Sequence, residues 1–166
     1  MTATNRPSPA ETHDRAIATG MQLFVLVHPD ACPVCAMHRG QIYWPDEAAS
    51  LPVAGCLKDE CRCEYRLFDH TGPSLEEMLA RGIAAVKAGQ RQEAQEWLVN
   101  LLQIDRYNEQ AWLWLSGAAE DDQDRLDCLQ EVLKINPTNQ FALRGLAALR
   151  AKGIGPPTMP SETRAE

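Results

Sequence analysis

His28 to Tyr65 reads HPDACPVCAMHRGQIYWPDEAASLPVAGCLKDECRCEY and holds five of the six cysteines of the chain, all within thirty-two positions. Two stand as Cys32-Pro33-Val34-Cys35, and three follow as Cys56, Cys61 and Cys63. A Cys-x-x-Cys turn brings two sulfurs to one point, and a second half-site completes the tetrahedron of soft ligands that Zn²⁺ prefers. The expectation is one structural Zn²⁺ per chain, held by four of Cys32, Cys35, Cys56, Cys61 and Cys63. The second half-site offers three thiolates for two places, and both choices stay open. The preferred set is Cys32, Cys35, Cys56 and Cys61, with Cys63 spare. His38 could replace one thiolate but reads as an exposed histidine on the following turn.

Around the cysteines the pattern is that of strands. Gln22 to Val27 is a β-rich apolar run ended by His28-Pro29-Asp30, and Gln41 to Trp44 is a second short run stopped by Pro45. Cys63 to Phe68 alternates, with Tyr65 and Leu67 on one face. Residues 21–70 therefore read as a small antiparallel β module of zinc-ribbon-like type. So few large apolar groups cannot build much of a core, and a bound metal would supply folding free energy. Residues 1–20 are polar and proline-containing and are expected to form a disordered tail, with at most a short helical turn around Asp14 to Ala18, and residues 156–166 are expected to form a second disordered tail.

Beyond Asp69-His70-Thr71-Gly72-Pro73 the apolar period changes from 2 to 3.6, and residues 71–155 read as about five helices. Ser74 and Glu77 form a capping-box pattern for the first, which presents Leu75, Met78, Leu79 and Ile83. The second, about Arg91 to Ile104, presents Ala94, Trp97, Leu98, Leu101 and Leu102. The third, about Glu109 to Ala119, is apolar nearly all round and so should lie between neighbours. Glu120-Asp121-Asp122 suits the positive end of the fourth, which buries Leu126, Leu129, Val132 and Leu133, with Cys128 on the buried side as a small core residue. A fifth, about Asn139 to Lys152, carries Phe141, Leu143, Leu146 and Leu149.

Ile104 to Ala111 lines up with Ile135 to Ala142 at a shift of 31, and helix pairs recurring near this period signal a solenoid. Gly82 and Ala94 stand twelve apart, Trp112-x-x-Leu115 opens a second unit and Pro137 closes it. With these residues, 74–152 resembles the tetratricopeptide repeat family. Arg106 stands where that resemblance expects a proline, and the second unit is about three residues short, which points to the turn around Asp121. The resemblance implies an antiparallel helical solenoid that presents a groove to a protein or peptide. Trp112 and Trp114, two apart on one helix, cannot both face the core. One would be core and the other half-exposed on the concave face, or both would pack on the cysteine module. The cysteine stretch itself is similar to a short motif of phage minor head proteins, through Cys-Pro-x-Cys, Leu51-Pro52 and Cys61-x-Cys63. Cys56 stands in place of that motif's histidine, and the likeness implies a metal-binding hairpin.

Composition narrows the function. The chain has 166 residues, a net charge of −7, and an acid excess in both parts: six basic against nine acidic groups over residues 1–70, ten against fourteen over 71–166. Neither half is a basic arm, which argues against a general binder of nucleic acid or of an anionic membrane surface. Residues 1–20 show no signal-peptide core, and the longest apolar run is too short to span a bilayer. The expectation is a cytoplasmic protein with reduced thiols, which favours metal over disulfides. The overall reading is an α+β chain, a zinc-binding β module followed by a short helical solenoid, serving non-enzymatic protein–protein interaction. The alternatives are a thiol-disulfide oxidoreductase using Cys32 and Cys35, and a zinc ribbon contacting nucleic acid. A redox pair would need a helix directly after Cys35 to lower the thiol pKa, and Gly40 cuts that segment short.

Overall fold

A computed structural model describes residues 7–155. Among these the fold is α+β. Strand β1 (Gln22–Leu26) is central in a three-stranded antiparallel sheet, flanked by β2 (Ile42–Tyr43) and β3 (Glu64–Phe68). Leu23 faces Tyr43 on one side and Leu67 on the other, and Val25 faces Tyr65. The unbroken apolar run of β1 has a physical cause: both faces of the strand are covered. Leu23 and Val25 join Ala16, Tyr65 and the cysteines on one face, whereas Phe24 and Leu26 join Phe68 and pack on Leu75, Ile104 and Tyr107 of the helical part on the other.

The first face is covered by a helix where a disordered tail was expected. Helix α1 (Pro9–Thr19) buries only Thr12 and Ala16, so its polar sequence carries little amphipathic signal. Its ends supply the order instead. Ser8 Oγ accepts the Glu11 N–H at 3.2 Å, Glu11 Oε2 accepts the Ser8 N–H at 2.7 Å, Pro9 opens the first turn, and Gly20 closes the helix at φ 67°. The core of the cysteine module thus draws on residues before position 21 as well as on the helices after it. Residues 1–6 of that tail, and all of the tail expected at 156–166, lie outside the described residues. The remaining element of the module is α2 (Pro33–Ala36), a single turn between β1 and β2.

Five helices follow: α3 (Leu75–Ala88), α4 (Arg91–Ile104), α5 (Glu109–Ala118), α6 (Asp122–Ile135) and α7 (Gln140–Ala151). Each packs on the next, and α5, apolar on all sides, lies against α3, α4 and α6. The sequence repeat recurs in the backbone. Asn108 and Asn139 cap α5 and α7 by accepting the N–H of Ala111 at 3.0 Å and of Ala142 at 2.8 Å. In the turns before them, Asp105 Oδ1 accepts the Tyr107 N–H at 3.2 Å and Asn136 Oδ1 accepts the Thr138 N–H at 3.1 Å. The shortening of the second unit lies in the helix rather than in the turn around Asp121, since α5 has 10 residues where α3 has 14.

Two of the expected buried stripes are placed differently. In α7, Phe141 is 68% exposed and Leu143 41%, because the helix meets α6 through Ala142, Leu146 and Leu149 and both residues flank that stripe. In α3, Leu75, Met78, Leu79 and Ile83 are half-buried, and the closest approach is made by Gly82 and Ala85.

Candidate metal centre

The five cysteines come from two loops on the α1 side of the sheet. After β1, the Ala31 N–H closes a turn on the His28 carbonyl at 3.0 Å, and Cys32 stands as the N-cap of α2. One helical turn places Cys35 three positions on, on the same side as Cys32. Gly40, at φ 73°, then redirects the chain into β2. The second loop is anchored by buried Val53, whose carbonyl accepts the Cys56 N–H at 2.9 Å. Cys61 and Cys63 are two apart on the extended segment entering β3. Residues at that spacing share a face, which is why both sulfurs turn inward, followed on that face by Tyr65.

The sulfurs converge as two groups of three, Cys32, Cys35 and Cys56, and Cys35, Cys61 and Cys63, each within 4.8 Å of one another. Cys35 is common to both. Cys35 Sγ lies 3.5 Å from Cys56 Sγ and 3.8 Å from Cys61 Sγ, and Cys32 Sγ lies 3.8 Å from Cys56 Sγ. A tetrahedral zinc–thiolate centre with Zn–S of about 2.3 Å has sulfur–sulfur edges of about 3.8 Å. By geometry these cysteine groups could hold a metal ion. Cys32, Cys35 and Cys63 are buried, while Cys56 and Cys61 are half-exposed and leave a path for entry.

The electrostatics divide the first pair. Backbone N–H groups of Leu57 and Cys35 donate to the Cys32 sulfur and lower its thiol from 9.0 to about 6, whereas burial, and then neighbouring Cys56, pushes the Cys35 thiol upward. Thiolates must form before a metal can bind, and N–H···S bonds favour the charged form. The two loops are clasped by one carboxylate. Asp30, before Cys32, pairs with His28 and reaches Lys58 Nζ at 3.2 Å and the Arg62 guanidinium, both in the second loop. That clasp was not foreseen from sequence. The signal for it was there, in two cations placed between Cys56 and Cys63 opposite an acid next to the first cysteine pair.

His38 belongs to neither sulfur group, and its Nδ1 is 3.0 Å from the Tyr43 hydroxyl. His13 Nε2 bonds the Pro45 carbonyl at 2.7 Å and ties α1 to the loop after β2. His28 stands edge-on to Tyr107, and His70 edge-on to Trp44. Cys128 is a buried residue of α6, remote in the fold from the other five, as its helical spacing implied.

Trp112 and Trp114 are both half-buried, and neither joins the apolar clusters of the sheet. They line different clefts. Trp114 sits with Leu113, Val86 and exposed Phe141 in one of about 630 Å³ bordered by α3, α5 and α7. Trp112 sits with Val99 and Cys128 in another of about 450 Å³ bordered by α4 and α6. Among the described residues no helix is long and apolar enough to cross a membrane. Comparison with protein-family models, curated proteins and solved structures finds no match.

Proposed function

We propose that the cysteine loops hold one structural Zn²⁺ and that the chain is a non-enzymatic interaction module. The observation that carries the metal reading is the convergence of five thiols from two loops, with sulfur–sulfur separations of 3.5 to 3.8 Å close to a zinc–thiolate edge. Cys32, Cys35, Cys56 and Cys61 remain the preferred ligands: the 3.8 Å separation of Cys61 from Cys35 matches that edge, while Cys61 groups with Cys35 and Cys63 and would have to close on Cys32 and Cys56 when the ion binds. The role of the metal is to hold the two loops beside a sheet that is docked on the helices. For the helical part the reading is of a solenoid resembling the tetratricopeptide repeat, and the α3/α5/α7 cleft is its groove for a protein or peptide. Support comes from Phe141, a large apolar side chain left in solvent beside Trp114, over whose ring Lys87 lies at 5.6 Å.

The decisive experiment is metal analysis of the purified chain by native mass spectrometry, followed by chelation. One zinc per chain, and loss of the sheet's amide dispersion when it is removed, support the module. A chain that folds identically without metal and reduces insulin disulfides would establish the thiol-disulfide oxidoreductase instead. That second reading has one specific support, the split between a lowered Cys32 and a raised Cys35. Against it stand the single turn of α2 and three further thiols crowding the pair. The groove is tested with a partner defined by affinity capture: Trp114→Ala and Phe141→Ala should each release it.

A further inference from the structure

The cleft on the α4/α6 side has a chemistry of its own. Asp124, Asp127 and Glu131 lie at i, i+3 and i+7 of α6, a spacing that puts all three on one helical face along one edge of the cleft. The floor is Trp112 and Cys128, and Val99 of α4, 41% exposed, forms the opposite wall. The indole N–H of Trp112 donates to the Arg106 carbonyl at 2.8 Å, which fixes the ring as part of the floor. Among the described residues no lysine, arginine or histidine lines the cleft. Glu131 pairs with Lys134 one turn on, and Asp127 accepts the Gln123 amide at 3.0 Å. The field of the three carboxylates reaches the floor. Burial first, and then Asp124, Asp127 and Glu131, push the Cys128 thiol up to about 11.

We propose that this cleft is a docking site for a basic, amphipathic segment of a protein partner. Its apolar side chains would lie on Trp112 and Val99, and a lysine or arginine beside them would meet Asp124 and Asp127. Charge complementarity selects this occupant. A nucleic acid or an anionic lipid surface is repelled by the carboxylate edge. A second copy of this chain, with its net charge of −7, would bring further negative charge to the same place. A cation next to an aromatic face gains additionally from the ring's quadrupole. The site is separate from the α3/α5/α7 groove and stands or falls independently of it.

The test uses the full chain and a fluorescein-labelled synthetic peptide of leucine and lysine at helical period, read by anisotropy, with leucine/glutamate and serine/lysine peptides as controls. The leucine/lysine peptide should bind at least about tenfold more tightly than either control, and more weakly as salt is raised. Joint Asp124→Asn and Asp127→Asn substitution should weaken it by about tenfold, as should Val99→Lys, a change at an exposed position that leaves the carboxylates and the fold intact. Phe141→Ala, in the other cleft, should leave it unchanged. Equal binding of the serine/lysine or the leucine/glutamate peptide, indifference to both cleft variants, or dependence on Phe141 would each overturn the proposal.

Discussion

Arg106, in the turn between α4 and α5, places its Nη2 3.0 Å from Oε1 of Glu64, the first residue of β3 and the immediate neighbour of Cys63. The same guanidinium lies over the Tyr107 ring at 4.8 Å, and Tyr107 in turn meets His28 at the mouth of the cysteine loops. The seam between sheet and helices therefore has an apolar centre, Phe24, Leu26 and Phe68 on Leu75 and Ile104, with a charged clasp at its edge. This gives a reason for Arg106 at the position where the likeness to the tetratricopeptide repeat expects proline. A proline there could end the helix turn but could not hold β3.

Removing that clasp should loosen the docking. Glu64 is only 13% exposed and Arg106 30%, so the pair is worth more than a surface ion pair but less than a buried one. Arg66, at 3.1 Å, remains to neutralise Glu64. Arg106→Ala should therefore cost about 1–2 kcal/mol in urea unfolding, part of it from the lost cover of Tyr107. A double-mutant cycle with Glu64→Gln should return a favourable coupling, and a coupling of zero would remove Arg106 from the account of the seam.

Two glycines separate a close helix contact from a tolerant one. A Cβ at Gly82 of α3 would stand 2.6 Å from Leu98 Cδ2 and 2.7 Å from Leu98 Cγ, and Leu98 is wholly buried. A Cβ at Gly145 of α7 would meet Leu129 Cδ1 at 2.7 Å, with Leu129 Cδ2 at 3.4 Å and Cγ at 3.6 Å. Alanine gains about 1 kcal/mol of helix propensity over glycine, and overpacking costs about 1–3 kcal/mol. Gly82→Ala should lower the midpoint of thermal unfolding. Gly145→Ala, where only a methyl terminus has to turn, should be close to neutral.

The sequence signalled some parts of this structure more clearly than others. The three strands and five long helices follow from a change of period at Pro73, and Ser74, read as a cap, accepts the Glu77 N–H at 3.1 Å, as Asn108, Asp121 and Asn139 accept a backbone N–H at the start of their own helices. α1 was read as a tail because a helix that buries two small side chains leaves no clear apolar stripe, although Ser8 and Glu11 carry the same capping-box spacing as Ser74 and Glu77. The exposure of Phe141 was hidden for a related reason: periodicity tells which residues share a stripe, but not which of two adjacent stripes a terminal helix turns inward. At the cysteines, the spacing foretold the two loops. The sharing of Cys35 between two sulfur groups, and the clasp of Asp30 on Lys58 and Arg62, depend on loop paths that no periodicity encodes.

The unequal positions of the cysteines make a substitution series informative. Cys35 belongs to both sulfur groups, so Cys35→Ser should abolish zinc retention, with Cys32→Ser and Cys56→Ser nearly as severe. Cys61→Ser should weaken zinc by more than about tenfold, in keeping with loss of one thiolate ligand, while Cys63→Ser should keep one zinc per chain. Competition with a chromophoric chelator reads all five. Full retention by Cys61→Ser together with loss in Cys63→Ser would reverse the assignment of the fourth ligand.

Asp105 and Asn136 hold equivalent places in the two repeat turns and accept equivalent backbone N–H groups, yet only one can carry charge. Burial raises the Asp105 carboxyl above its ordinary value of 3.8, against the lowering effect of the Asn108 amide and the Tyr107 N–H. A carboxyl raised on folding penalises the folded state when ionised. The penalty is absent below 3.8, grows as pH rises to the folded value, and is complete above it. Asp105→Asn, which copies Asn136, keeps the acceptor for the Tyr107 N–H, gives up the one for the Asn108 amide at 3.3 Å, and removes the charge. At neutral pH it should stabilise the chain by at most about 1 kcal/mol, because the carboxylate is only half-buried. Below pH 3.8, where wild-type Asp105 is itself neutral, the two proteins should unfold at the same urea concentration. A variant less stable than wild type at neutral pH would show that the ionised carboxylate, through its bonds to Tyr107 and Asn108, helps rather than burdens the turn.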